Sequence, residues 1–174
     1  MTNSSSIAFI GIGANLPGSG YATPRATCEA AIKALVMAGI KIENQSRWYK
    51  SAPVPASDQP WFINGIISTK SMMGASALIG VLQEIEKTFG RTSTTKNAAR
   101  TLDLDLIAYA DTVSGWEHGS DTSLILPHPR MTERGFVLLP LREISPDWCH
   151  PVFKTTLDEL ISKLDRKQLI LLDD

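Results

Sequence analysis

The segment Arg100-Thr101-Leu102-Asp103-Leu104-Asp105-Leu106 constrains this chain more than any other. Leucines alternate with carboxylates, the period of a β-strand with one buried face. Leu102, Leu104 and Leu106 then point into a core. Asp103 and Asp105 project together from the opposite face, roughly 7 Å apart at their backbones. Two carboxylates held that close repel each other unless a cation lies between them. Oxygen ligands of this kind suit magnesium, usually shared with substrate phosphates. An alternating strand can also carry aspartates merely as a solvated face. The neighbouring cations favour the metal reading: Arg91, Lys96 and Arg100 precede the pair, and His128, Arg130 and Arg134 follow it. Carboxylates for magnesium and cations for phosphate oxygens are the parts that phosphoryl transfer requires.

The 174 residues predict a single domain spanning 1–174, with residues 1–6 a frayed tail. A net charge of -1 offers no global attraction to nucleic acid or to an anionic membrane surface, so neither is an expected partner. No apolar run reaches transmembrane length, and the first residues lack the charged and apolar regions of a signal peptide; a cytoplasmic location is expected. Cys28 and Cys149 fit neither a disulfide framework nor a metal motif, and read as reduced structural thiols.

Along the chain, Ile7 to Ile12 is a short apolar run ended by glycines, and predicts a buried strand. Thr23 before Pro24 is a helix start, and Gly39 can end that helix. Residues 40–49 read as extended, and Pro53, Pro55 and Pro60 stiffen the following loop. Phe62 to Thr69 predicts a strand. Leu78, Leu82, Ile85 and Phe89 recur at helical spacing before Gly90, and Asp103 to about Tyr109 completes the series. The order β-α-β-β-α-β predicts an α+β, ferredoxin-like core: an antiparallel sheet with both helices packed on one face. A C-terminal extension follows, with a Pro127-His128-Pro129 turn, an apolar segment from Phe136 to Leu141 and a last helix near Leu157 to Leu164. Such a fold does not fix a function.

Two further clusters could carry chemistry. In Leu126 to Phe136, prolines fix the backbone on both sides of His128, and Arg134 stands just before an apolar segment; an ordinary loop and helix start would look the same. In Asp58 to Asn64, the amide of Asn64 sits in an apolar strand and must find partners. It could bond structurally to backbone, or read the edge of a heterocycle on which Phe62 and Phe136 stack. Both phenylalanines could equally be core. The Gly11/Gly13 stretch lacks the P-loop lysine and serine and the full dinucleotide fingerprint, so it marks no nucleotide site.

Taken in order from Ile7 to about Pro146, these segments resemble the 6-hydroxymethyl-7,8-dihydropterin pyrophosphokinase family of folate biosynthesis. The resemblance is carried by Phe9 to Leu16, Asp58-Gln59-Pro60 to Asn64, Gly90-Arg91, Arg100 to Asp105, and Pro127-His128 to Phe136. It implies transfer of pyrophosphate from ATP to the pterin hydroxymethyl group, with release of AMP, by a monomer that binds only small molecules. It implies two magnesium ions on Asp103 and Asp105, with Arg91 and Arg100 as further catalytic residues. It implies a pterin between Phe62 and Phe136, read by Asn64, in a pocket completed by Ser51, Ala52 and Val54. For ATP it points to Gln83, Arg91, Lys96, Arg100, Ile107, His128 and Arg134. One departure stands out: the family's loop before R-T-L-D-L-D usually carries several arginines and a tryptophan. Here Thr92 to Ala99 has one lysine and no tryptophan, so closure over ATP is expected to be arranged differently. The core constellation is complete, and an active enzyme is expected; a non-catalytic pterin- or nucleotide-binding module of the same fold is the alternative.

Overall fold

The computed structural model describes residues 6–90, 99–116 and 124–173. The first part runs β1 (Ser6–Ala14), α1 (Pro24–Met37), β2 (Lys41–Gln45), β3 (Tyr49–Ser51), β4 (Phe62–Ser71), α2 (Ala75–Thr88) and β5 (Asp103–Tyr109). It continues through a 3-10 turn (Met131–Glu133) to α3 (Gly135–Ile144), β6 (Cys149–His150), β7 (Thr155–Thr156), α4 (Leu157–Ser162) and β8 (Ile170–Leu172). The main sheet is six-stranded and antiparallel, in the order β5-β1-β4-β3-β8, with β2 also paired to β4. The predicted β-α-β-β-α-β core therefore forms. Its second strand is split: β2 pairs the distal half of β4 and β3 the proximal half.

Alternation in β1 decides how the layers stack. Ala8, Ile10, Ile12 and Ala14 face α1 and α2, meeting Cys28, Ala31 and Leu35 from the first helix and Leu78, Leu82 and Ile85 from the second. Leu102, Leu104 and Leu106 join the same cluster, as their alternation requires. Each buried Leu or Ile contributes about 1.5–3 kcal/mol. The Thr23 hydroxyl accepts from Ala26 N–H at 3.1 Å to start α1, and Gly39, at φ +85°, turns the chain after it.

The opposite face of the sheet is not open. Phe9, Ile66, Ile107 and Ala108 are covered by Val137, Leu138 and Leu141 of α3 and by Leu157 and Leu160 of α4. The C-terminal extension is thus the second layer of the core. The apolar segment Phe136 to Leu141 proves to be part of a helix. Its near-continuous apolar run hid the period, and Pro140 argued against a helix that accommodates it. The last helix ends at Ser162, two residues sooner than its pattern implied, and β1 continues through Gly13 to Ala14. Of the two thiols only Cys28 is core, where burial pushes it up to about 12; Cys149 is exposed. No helix among the described residues is long and apolar enough to cross a membrane.

Gly65 lies directly under the buried Trp48, and a Cβ there would approach the indole ring to 2.8 Å. A rigid ring cannot yield as a flexible chain end would. Gly65→Ala is expected to destabilise the protein by about 1–3 kcal/mol. Urea denaturation followed by tryptophan fluorescence measures it; an unchanged midpoint would show that the ring shifts freely.

Candidate active site

The site grows from the pairing of β5 with β1. Asp103 pairs with Gly13 and Asp105 with Gly11. Both aspartates therefore stand on the face away from α1 and α2, beside two residues with no side chain. A bulge follows: Leu106 opposes Ile10 and Ala108 opposes Phe9, leaving Ile107 as the extra residue. Its carbonyl accepts from His128 N–H at 2.8 Å, which anchors the Pro127-His128-Pro129 turn beside the aspartate strand.

Two arginines approach the carboxylates from different loops. Arg100 Nη1 donates to Asp103 Oδ1 at 2.6 Å, and Arg134 Nη1 lies 3.9 Å from Asp105 Oδ2. The second pair is too long for a good hydrogen bond. Burial, reinforced by the charge of Asp103, raises the Asp105 carboxyl to about 6 despite the pull of Arg134. Its side chain nevertheless keeps 38 % of its surface exposed, so the group lies deep but accessible in a cleft. Among the described residues no cluster of three or more His, Cys, Asp or Glu could hold a metal. Two carboxylates suit magnesium that completes its shell with water and substrate phosphates, rather than a closed protein cage.

Two cavities meet at Asp105. The first encloses about 300 Å³ and takes in all six residues expected around the pterin, Ser51, Ala52, Val54, Phe62, Asn64 and Phe136, together with Arg100, Asp103, Asp105 and Arg134. Phe62 and Asn64 stand on β4, two residues apart on one face, and Phe136 comes from α3. Asn64 Nδ2 donates to Ser51 Oγ at 2.9 Å, so its amide oxygen sits beside Gly13, where a Cβ would be 3.3 Å away. The Arg134 guanidinium lies 5.6 Å from the Phe136 ring centre. The second cavity, about 360 Å³, is lined by Gln83, Glu86, His128 and, again, Asp105. Burial lowers His128 to about 4, and its Nδ1 accepts from Arg130 N–H at 3.2 Å. The imidazole is therefore neutral near pH 7, with its proton on Nε2.

Ile107 is expected at the ATP site. Its side chain is 1 % exposed, inside the second core cluster, and lines neither cavity; only its carbonyl acts, through His128. Arg91, Lys96 and the loop residues 92–98 lie outside the described residues.

Several residues at the site escaped sequence reasoning. Asn15, 1 % exposed, is a three-way tie: Oδ1 accepts from Arg100 N–H at 2.8 Å, while Nδ2 donates to Gln59 Oε1 at 3.2 Å and Pro60 O at 3.1 Å. Its own N–H donates to Arg100 O. Buried Glu86 accepts from Leu104 N–H at 2.7 Å, bracing the peptide between the two aspartates. Gly13, Gln59, Glu133 and Gln168 line the first cavity. The available signal for Gly11 and Gly13 was their two-residue spacing in an apolar strand, which marks one bare face. Nothing local marks Gln168.

Residues 9–146 match the sequence model of the family 7,8-dihydro-6-hydroxymethylpterin-pyrophosphokinase. The chain is similar to a 2-amino-4-hydroxy-6-hydroxymethyldihydropteridine pyrophosphokinase from Synechocystis, 37% identical over 91% of this chain and 76% of that protein. The protein of the same name from Haemophilus influenzae is 31% identical over 95% of this chain and 98% of its own length. The fol1 folic acid synthesis protein of Pneumocystis carinii is 37% identical but longer, the match covering 17% of it. Among solved structures, wild-type Plasmodium falciparum HPPK-DHPS aligns over 92% of this chain and 42% of that one, with a TM-score of 0.68 and 16% identity, a likeness of fold.

The two shifted groups pull stability in opposite directions. Unfolded His128 takes up a proton near pH 6.5 and folded His128 only near 4, so it destabilises the fold as pH falls across that window. Asp105, raised from 3.8 to about 6, has the opposite effect: the folded state takes up the proton first, and stability grows as pH falls through 6. Asp105→Asn removes the second effect. In chelator-treated protein, the variant is expected to lose stability more steeply than wild type from pH 6 to 4. At pH 7 it should be roughly 1–2 kcal/mol more stable, a figure discounted for solvent screening. Urea titrations across that range test this; parallel pH profiles would remove Asp105 from control.

Proposed function

The chain belongs to the 7,8-dihydro-6-hydroxymethylpterin-pyrophosphokinase family, and from that premise we propose how its own residues divide the reaction. The enzyme transfers pyrophosphate from ATP to the hydroxymethyl group of 6-hydroxymethyl-7,8-dihydropterin, in folate biosynthesis, and AMP leaves. The pterin occupies the cavity of Phe62, Asn64 and Phe136, and the nucleotide occupies that of Gln83 and His128. The observation that carries this division is that Asp105 lines both cavities. The β- and γ-phosphates then cross the aspartate pair, where the two substrates meet.

Asp103 and Asp105 would hold two magnesium ions, which supply charge neutralisation of the triphosphate and stabilisation of the leaving oxygen. Arg100 and Arg134, 2.6 Å and 3.9 Å from the aspartates, are placed to exchange carboxylate for phosphate oxygens. His128 serves as a neutral Nε2–H donor, since its depressed pKa makes it a poor proton carrier near pH 7. Asn64 and the backbone around Ser51 to Val54 orient the pterin so that its hydroxymethyl oxygen faces the β-phosphorus in line. Positioning and electrostatics supply the rate, as phosphoryl transfer requires little proton chemistry. We read the chain as a monomer of one domain, 1–174, acting in the cytoplasm. The observations do not favour a non-catalytic module, because the aspartate pair and both arginines are in place.

With ATP, magnesium and hydroxymethyldihydropterin, the protein should release AMP stoichiometrically with the pterin diphosphate. ADP as the nucleotide product, or no turnover, would contradict the assignment. The Asp103→Ala/Asp105→Ala variant should lose on the order of 10³-fold or more in kcat, since several kcal/mol of charge stabilisation disappears. Its circular dichroism should match wild type, because both side chains lie outside the core clusters.

A further inference from the structure

Arg134 and Phe136 are separated by one residue and both line the pterin cavity, where Arg134 also lies near Asp105. The backbone between them is unusual. Arg134 closes the 3-10 turn and also caps α3, with no side-chain cap bond at that end. The first N–H groups of a helix need acceptors from elsewhere. Gln168, far along the chain, supplies one: its Oε1 accepts from Gly135 N–H at 2.9 Å. Its Nε2 donates to Glu133 O at 2.8 Å. One amide thus grips the backbone on both sides of Arg134. Its orientation is unique, because only the oxygen can accept from Gly135 and only the nitrogen can donate to Glu133.

The next residue holds the opposite wall. Leu169 O accepts from Ala52 N–H at 3.1 Å, and β8 continues from there as a ladder on β3, pairing Ile170 with Ser51. Gly135 fits closely beneath this strand, in contact with Ile170 Cδ1, Leu164 Cδ1 and Gln168 Oε1 wherever a Cβ would stand. Two adjacent residues therefore join the Ser51/Ala52 wall to the Arg134/Phe136 wall. Both lie beyond residue 146, where the family match ends.

We propose that Gln168 and Leu169 form a clasp across the pterin cavity, and that Gln168 is a positioning residue for Arg134 and Phe136. The proposal rests on the reading of those two residues as substrate contacts. The clasp sets the gap in which the pterin ring fits, so its loss acts on pterin binding more than on folding. The effect passes through the backbone: both polar ends of Gln168 are already engaged, leaving it no direct catalytic part.

The test compares wild type, Gln168→Ala, Gln168→Glu and the control Lys167→Ala, whose side chain is exposed. Each is assayed for AMP release with pterin and ATP varied in turn, for pterin dissociation by fluorescence titration, and for Tm. Gln168→Ala is expected to raise the pterin Kd and KM about tenfold, and at least threefold, with a smaller change in the KM for ATP. Gln168→Glu keeps the acceptor but sets an oxygen against Glu133 O, and should match the alanine variant. It is nearly isosteric and judges the proposal should Gln168→Ala not fold. Lys167→Ala should behave as wild type. A pterin Kd and KM changed less than threefold overturns the clasp, even where Tm or total activity falls, since that pattern is a structural role alone. Wild type that binds pterin but releases no AMP overturns the enzyme reading instead, and the clasp is still decided by the pterin Kd; wild type that binds no pterin overturns both.

Discussion

Two carboxylates on one face of β5 are the constraint around which the structure is arranged. Their like charges oppose one another, yet they cannot turn away. Leu102, Leu104 and Leu106 occupy the α1/α2 core, and a one-residue slip of the strand would bury both aspartates and expose three leucines. The hydrophobic core thus enforces an electrostatic cost. Arg100 relieves it at Asp103 by direct contact at 2.6 Å, whereas Arg134, at 3.9 Å, leaves Asp105 raised to about 6. The pair is under-compensated by its own protein, which is the condition in which an added cation gains most.

Holding such a pair requires rigid surroundings, and the chain supplies them mainly through backbone groups. Glu86 braces Leu104 N–H, and Asn15 binds the Arg100 backbone while reaching across to Gln59 and Pro60. Removing the buried Asn15 amide would take a partner from Arg100 N–H and from Pro60 O, in two segments at once, each worth about 1–3 kcal/mol if left unsatisfied. Gly13 contributes by absence, since a side chain there would crowd the Asn64 amide in the first cavity, whereas one at Gly11 would press on Ile107 and Ile66. The β5 bulge then spends its extra carbonyl on His128, so one irregularity links the strand to the turn that forms the second cavity.

Much of this was legible in the sequence where a residue's role depends on local period. The aspartate strand, the α2 stripe and the strand bearing Phe62 and Asn64 were all readable from local pattern; ten of the expected site residues line one cavity, and the two strands supply Phe62, Asn64, Asp103 and Asp105 of them. Roles set by long-range geometry were not legible. Asn15 looks like a turn residue, Glu86 like a helix surface charge and Gln168 like solvent-facing tail, because each acts on a backbone 18 to 85 residues away. Ile107 is expected at the ATP site, and its buried side chain leaves its carbonyl as the group that faces the second cavity's turn, through His128. The helix α3 was hidden by an apolar run whose period cannot be read when nearly every position is buried.

The C-terminal extension explains why the site lies where it does. An antiparallel sheet can leave one face to solvent, but here α3 and α4 cover most of the second face, through Val137, Leu138, Leu141, Leu157 and Leu160. The cleft lies where the bare glycines and the aspartates interrupt the apolar surface that such a cover needs. One wall therefore belongs to the sheet and the other to the start of α3. The spacing of Phe62 from Phe136 is set by how the two layers dock, not by either layer alone. Packing at Phe9, Ile66 and Leu138, though away from the cleft, is thereby part of what gives the first cavity its width.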